Sequence, residues 1–367
     1  MKMPTALFSS MPFSPSLIPD NTIMIHAPRS VEELDLLASD PDIAVIETIG
    51  SVEGDVIVAG AGGKMGFHLC LMLRRAFDLL GKQNRVIAVS RFGDEKTRAL
   101  FESQYLTTHP ADLTDADALA SLPDAATVFF LAGRKFGTSD SPETLVLYNE
   151  VMPALVAERY AGAKIVALST GCVYPFVEPD SGGSTEEDEV GPVGDYAVSC
   201  LGREAAFLRS SEVHRSPLAL IRLNYAVDLR YGVLVDLALK VSRGEPVDLT
   251  TGYFNCLWQG DAVSRTIRAL DHATPAPQPF VLNVTGSRIL KVREVALTFE
   301  RLLNHTVEFT GTEAATAWLS NAGKSRRLFG PPSVSEDRLI NWVADWIDHE
   351  RPLLGKPTHF EVRDGKY

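Results

Sequence analysis

The sequence predicts an α/β fold: a doubly wound parallel sheet covered by helices on both faces, with a smaller mixed subdomain towards the C-terminus. Three observations carry this. Short apolar runs without polar alternation recur between Val56 and Leu223, as expected of strands buried on both faces. Helical stretches separate these runs, which is the alternation of a parallel sheet. A glycine-rich loop, Gly60-Ala61-Gly62-Gly63-Lys64-Met65-Gly66, joins the first run to the first long helix.

The elements come in this order. Residues 1–22, rich in Pro and Ser, read as an arm. Ser30-Val31-Glu32-Glu33 fits a capping box, with Leu34, Leu36 and Leu37 behind it. Ile43-Ala44-Val45-Ile46 reads as a short strand, and residues 23–53 are expected to pack on the side of the strand–helix region that begins at Asp55. Val56-Ile57-Val58-Ala59 is the first buried strand, a helix spans about 65–80, and residues 85–89 form the second strand. Later strands are expected at 126–131, 164–168 and 218–223. Beyond residue 225, helices are expected at 234–242, 261–272, 291–303 and 335–349, with a strand at 281–284. The division that results is an arm and extension (1–54), a dinucleotide-binding domain (55–225), an interleaved substrate subdomain (226–350) and a polar tail (351–367). The tail segment 355–361 has more aromatic and branched character than a simple tail needs, so it is expected to fold back on the body or on a partner subunit.

Composition excludes several classes. The 367 residues are 45 % hydrophobic and 22 % charged, enough for a sizeable core. With 35 basic and 47 acidic residues the net charge is −12, which argues against nucleic acid as a partner. The basic run Lys324-Ser325-Arg326-Arg327 is too short to change that. Cys70, Cys172, Cys200 and Cys256 form no CxxC pair and read as free thiols of a reducing cytoplasm. The eight histidines show no ligand spacing, so no metal is expected. No signal peptide and no run of 18 apolar residues are visible, so the expectation is a cytoplasmic protein without a membrane partner.

The loop carries the chemistry. Glycines 60, 63 and 66 make GxxGxxG, which permits a tight turn and close backbone approach to a pyrophosphate. Reading it as GxGxxG from Gly60 fails at Met65. At the end of the second strand, Ser90-Arg91-Phe92 offers no carboxylate to repel a 2′-phosphate, and Arg91 can pair with one. NADP is therefore expected over NAD, with NAD still possible.

Beyond the loop, several segments resemble an extended short-chain dehydrogenase/reductase of the NAD(P)-dependent epimerase/dehydratase family, over about residues 55–347. They are Ala111-Asp112-Leu113, Phe130-Leu131-Ala132-Gly133, Asn149, Ser169-Thr170-Gly171-Cys172-Val173-Tyr174, Tyr196 and Ser325-Arg326-Arg327-Leu328-Phe329-Gly330. The resemblance implies a Rossmann-type sheet and a cofactor held by Gly60, Gly63, Lys64, Met65, Gly66, Ser90, Arg91, Asp112, Leu113, Leu131, Ala132, Gly133, Asn149 and Tyr196. It implies Tyr196 as general acid/base and Thr170 as the hydroxyl that holds the same substrate oxygen. It also implies a homodimer that pairs the helices of Asn149 and Tyr196.

One role is vacant. The family places a lysine four residues after its tyrosine, where it lowers the tyrosine's pKa; here that residue is Cys200, which offers no positive charge. Three readings are open: another cation substitutes, the protein reduces a carbonyl and Tyr196 only donates, or the site is inactive. Lys135, just after the fourth strand, is the expected surrogate, with Arg134 a second candidate.

Two departures bear on the substrate. Gly171-Cys172 stands where family dehydratases carry Asp-Glu, which argues against a dehydratase. Phe254 stands where many epimerases carry a nucleotide-gripping Arg, and the Asn of a second segment is displaced in Arg222-Leu223-Asn224-Tyr225-Ala226-Val227-Asp228. A small polyol, sugar acid or keto acid is expected, met by Lys135, Thr170, Cys172, Asn224 and Tyr225, with Arg230 on a carboxylate and Trp258 as an apolar wall. The function expected is hydride transfer by an oxidoreductase or epimerase. The alternative is a non-catalytic NADP(H) sensor or scaffold.

Overall fold

The computed structural model describes residues 26–135, 142–356 and 358–365. The arm of residues 1–22 lies outside them. Seven strands form one sheet: β1 (Val56–Ala59), β2 (Val86–Ser90), β3 (Thr107–Pro110), β4 (Thr127–Phe130), β5 (Lys164–Thr170), β6 (Leu218–Leu223) and β7 (Phe280–Val284). Their order is β3-β2-β1-β4-β5-β6-β7, and every neighbouring pair is parallel. Strand order reverses between β1 and β4, the crevice where open α/β sheets bind ligands.

Alternation along β1 builds two cores. Val56 and Val58 join Leu69, Phe77, Val263 and Ile267 on one face. Ile57 and Ala59 join Val128, Phe130, Met152, Val156 and Phe207 on the other. The first face is covered by α3 (Gly66–Leu79) and α10 (Gln259–Arg268), the second by α7 (Met152–Arg159) and α8 (Asp195–His214). Further helices in chain order are α1 (Val31–Ala38), α2 (Ile43–Gly50), α4 (Glu95–Ser103), α5 (Ala116–Ala120), α6 (Pro142–Val146), α9 (Val233–Ser242), α11 (Val292–Leu303), α12 (Gly323–Phe329) and α13 (Glu336–Asp348). A third core joins α9, α11 and α13 around Trp258, Phe299, Trp342 and Trp346.

One sequence expectation changes here. Ile43–Ile46 is not a strand but the start of α2. Asp42 caps it, its Oδ1 accepting from Val45 N at 2.7 Å, and Val45 and Ile49 bury one turn apart against α3 and α10. The apolar run is too short to separate strand from helix by period; the cap decides.

The C-terminal stretch folds back on the body, one of the two alternatives expected of residues 355–361. Thr358 N and Oγ1 donate to Asp236 of α9. Phe360 is 2 % exposed in the third core. Lys240 pairs with Glu361 at 2.5 Å, and Arg363 lies 4.2 Å over the Phe176 ring. The segment folds back on the body as a strap.

Between α6 and α7 the helix widens into a π turn, Leu147–Val151, holding Asn149. Pro153 at the start of α7 has no N–H to give the Asn149 carbonyl, which favours the widening.

Candidate active site

At the switch point β1 runs into the glycine loop. Gly60 has φ +88°, and a Cβ there would stand 2.5 Å from Ala132 N at the end of β4. Only glycine lets loop and strand approach this closely. The N-terminus of α3 has no side-chain cap, so its first amides are left for an anion. Beside it lies a cleft lined by Gly60, Gly62, Gly63, Ser90, Arg91, Asp112, Leu113, Leu131, Ala132 and Gly133. This brings together most of the cofactor residues expected from sequence. Arg91 donates to Tyr148 Oη at 3.2 Å at the cleft's edge. Asp112 accepts from Thr114 N and Oγ1 at 2.9 and 2.7 Å, which with the nearby Arg91 holds its carboxyl below the usual range. These residues fit a dinucleotide: a backbone cradle, a helix end and a polar groove across the switch point.

A second cavity, of about 210 Å³, continues from the loop. Lys64, Met65, Lys135, Thr170, Cys172, Asn224, Tyr225, Tyr231, Gln259 and Thr358 are among the residues that line it. Lys64 therefore faces this second cavity, its Nζ 3.2 Å from the Tyr231 ring centroid. Burial, with repulsion from Lys135 and Lys356, pushes Lys64 down to about 8.

Tyr196 stands on the first turn of α8, and Lys135 Nζ lies 5.7 Å from its ring centroid. Cys200 lies one turn on from Tyr196 on the same helix, close enough to act on its ionisation. Burial raises Tyr196 well above the ordinary phenol value, and the nearby Cys200 thiol adds to the rise. Position 200 thus acts opposite to a lysine: it favours the neutral phenol. Lys135 is lowered by burial. Asn149 holds the loop that carries it, accepting from Arg134 N at 3.0 Å and donating to Arg134 O at 2.9 Å.

Thr170 ends β5, its Oγ1 accepting from Cys172 N at 3.2 Å. Behind it lies a buried lattice. Arg222 grips Glu204 through Nε and Nη2 at 3.0 and 2.8 Å, and Ser169 donates to the same carboxylate at 2.5 Å. Tyr174 Oη accepts from Arg222 at 2.8 Å and donates to Asn283 at 2.9 Å. Paired and satisfied, this lattice fixes the end of β5.

Two expected substrate contacts are elsewhere. Arg230 pairs with Asp228 at 2.7 Å and with Asp35 of α1 at 2.9 Å, so its charge is already spent on joining the N-terminal helices to the body. Trp258 is buried against Trp342 at 5.8 Å between ring centroids, because its short pairing with residues 226–227 turns it into the third core. Asn224 lines the cavity but donates to Asn255 at 2.9 Å. Sequence reading missed Tyr231, Gln259, Thr358 and the buried Arg203; only the strap's aromatic character gave a hint of Thr358.

Among the described residues no cluster of His, Cys, Asp or Glu can hold a metal ion, and no helix is long and apolar enough to cross a membrane. A comparison with curated protein sequences finds no match. The fold is similar to that of a UDP-glucuronic acid 4-epimerase from Bacillus cereus solved with a fluorinated substrate analogue and NAD: TM-score 0.68, 18 % identity, covering 81 % of this chain and 99 % of that one. It is also similar to a UDP-glucose 4-epimerase from Thermotoga maritima solved with UDP-glucose: TM-score 0.64, 16 % identity, 81 % and 99 % covered. Residues 56–224 match the NAD dependent epimerase/dehydratase family. That matched stretch holds the loop, the sheet's switch point, Thr170 and Tyr196.

Proposed function

We propose that the enzyme passes hydride between a nicotinamide cofactor and a small hydroxylated or carbonyl substrate, a sugar, sugar acid or keto acid, as an oxidoreductase or epimerase. The observation that carries this reading is the cavity at the sheet's carboxyl edge that joins the phosphate loop, Thr170 and Lys135, with Tyr196 beside Lys135. Its size of about 210 Å³ lies below the ~300 Å³ where pockets for drug-sized ligands begin. Phe254 is buried in the third core, so no arginine from that position reaches a diphosphate.

When bound, the nicotinamide supplies or takes up hydride. Thr170 holds the substrate oxygen, and Tyr196 gives it a proton in reduction or removes one in oxidation. Lys135 presents positive charge on the cavity side. Burial, with the Cys200 thiol beside it, keeps the phenol protonated, which suits reduction at neutral pH. A homodimer through α6, α7 and α8 is supported by Val146, Leu147, Val151 and Val198, all exposed on those helices and the π turn.

The direct test is turnover. Purified enzyme incubated with NADH or NADPH and a panel of small keto acids, aldoses and ketoses should oxidise the cofactor with at least one of them. Binding of cofactor with no oxidation across the panel, and no exchange of substrate hydrogen, would favour a sensor instead.

Arg91 sets the choice of cofactor in this proposal. NADPH should bind at least about tenfold tighter than NADH, about 1.4 kcal/mol. Arg91→Ala should erase most of the gap. Calorimetric titrations that give equal affinities for the wild type would remove Arg91 from that role.

A further inference from the structure

The family's lysine position is Cys200, yet a second cation lies close by on the same helix. Arg203 lies one turn beyond it on α8 and is 6 % exposed. Helical side chains lean towards the N-terminus, so the guanidinium is carried back towards Cys200 and Tyr196. Its Nη1 donates to Leu168 O at 3.1 Å and its Nη2 to Asn149 Oδ1 at 2.6 Å. Both acceptors are neutral, and Nε has no partner among the described residues. The neighbouring Glu204 is gripped by Arg222 and Ser169.

Buried charges are ordinarily paired, because an unpaired one costs several kcal/mol. Among the described residues, Arg203 has neither a carboxylate nor full hydrogen bonding. It is also packed against the cofactor cleft: a Cβ on Gly133 would stand 2.2 Å from Nη2. We propose that Arg203 is a positioning residue that supplies Tyr196 with a fixed positive charge, in place of a lysine at position 200, and that its missing counter-ion is the Tyr196 phenolate formed during the reaction. This rests on the reading of Tyr196 as the acid/base.

Several titratable or charged groups face Tyr196. Cys200 lies on its own helix, Cys172 on the turn after β5 and Lys135 on the loop after β4, with Arg203 below. Burial and both thiols raise the phenol; the Arg203 charge opposes them. A guanidinium is a permanent cation, whereas burial lowers Lys135, so Arg203 is the dependable source. Asn149 completes the link: its amide donates to Ser199 Oγ at 2.9 Å, and Ser199 donates to Tyr196 O at 2.8 Å. The guanidinium therefore holds the first turn of α8 as well as charging it.

The test reads ionisation rather than turnover. Protein labelled with carbon-13 at the tyrosine Cζ is titrated with and without NAD, and Tyr196→Phe assigns the Tyr196 signal. Arg203→Gln should raise the Tyr196 midpoint above that of the wild type by roughly one unit or more, about tenfold less phenolate at a given pH. Arg203→Lys, which keeps the charge, should restore most of the shift. Gly133→Ala, which displaces the guanidinium without changing any residue of α8, should raise the midpoint as Arg203→Gln does, and stands in for it should that variant not fold. A Tyr196 midpoint indifferent to these changes would overturn the proposal. Retained hydride transfer in Tyr196→Phe would instead overturn the acid/base reading and leave the titration result standing.

Discussion

Replacing Tyr196 by phenylalanine is expected to slow hydride transfer by about 10²–10⁴-fold, the range for one positioned acid/base. The substitution deletes one oxygen and leaves the ring between Lys135 and Cys200, so folding and cofactor affinity should hold. The loss should lie in kcat, with KM little changed, because a proton is missing rather than a binding surface. The pH dependence should change with it. The neutral phenol is the form burial favours, so wild-type reduction should stay level through neutral pH and fall only when Tyr196 ionises. Oxidation needs the phenolate and should rise over the same range. Both limbs should vanish in Tyr196→Phe. Steady-state profiles in the two directions check this; an unaltered profile would assign proton transfer to another group.

Deleting residues 352–367 should lower stability by about 4 kcal/mol or more and abolish most activity. Phe360 alone is worth about 3–5 kcal/mol, the cost of emptying a buried aromatic site. Thr358 adds two hydrogen bonds to Asp236, a half-buried carboxyl that would be left without them. In a chain of this size the melting temperature should fall by roughly 5–10 °C. Activity should fall further than melting explains, because Thr358 is a wall of the substrate cavity. Phe360→Ala separates the effects: it should reproduce most of the melting shift and spare the cavity wall. Truncated protein with full stability and turnover would show the strap to be dispensable.

Local signals made the cleft at the switch point legible. Strand, glycine turn and helix succeed one another without interruption, so Gly60, Gly63, Ser90 and Arg91, which line that cleft, could be placed from neighbours alone, while the family resemblance supplied Gly133. The β6 bounds, 218–223, were readable for the same reason. What failed was set by long-range partners. Arg230 looks like a free arginine until Asp35, far back in the chain, is folded against it. Trp258 looks like a pocket wall until Trp342 covers it. Arg203 looks like one more charged residue on a helix of mixed polarity, and only packing against Asn149 and Gly133 reveals it as internal. The strap's polar residues find their partners more than a hundred positions upstream.

Helix α8 carries Tyr196, Ser199, Cys200 and Arg203 at spacings of three and four, so one stripe of a single rod aligns all of them. Length changes along this rod are therefore unequal in their effect. One residue inserted between Tyr196 and Arg203 turns everything beyond it by about 100° and separates the phenol from its charge. The same insertion after His214, where the helix has already ended and Arg215 turns the chain with φ +57°, shifts only a connection. Homologous chains that keep this chemistry should vary in length on the far side of that boundary and hold constant spacing before it.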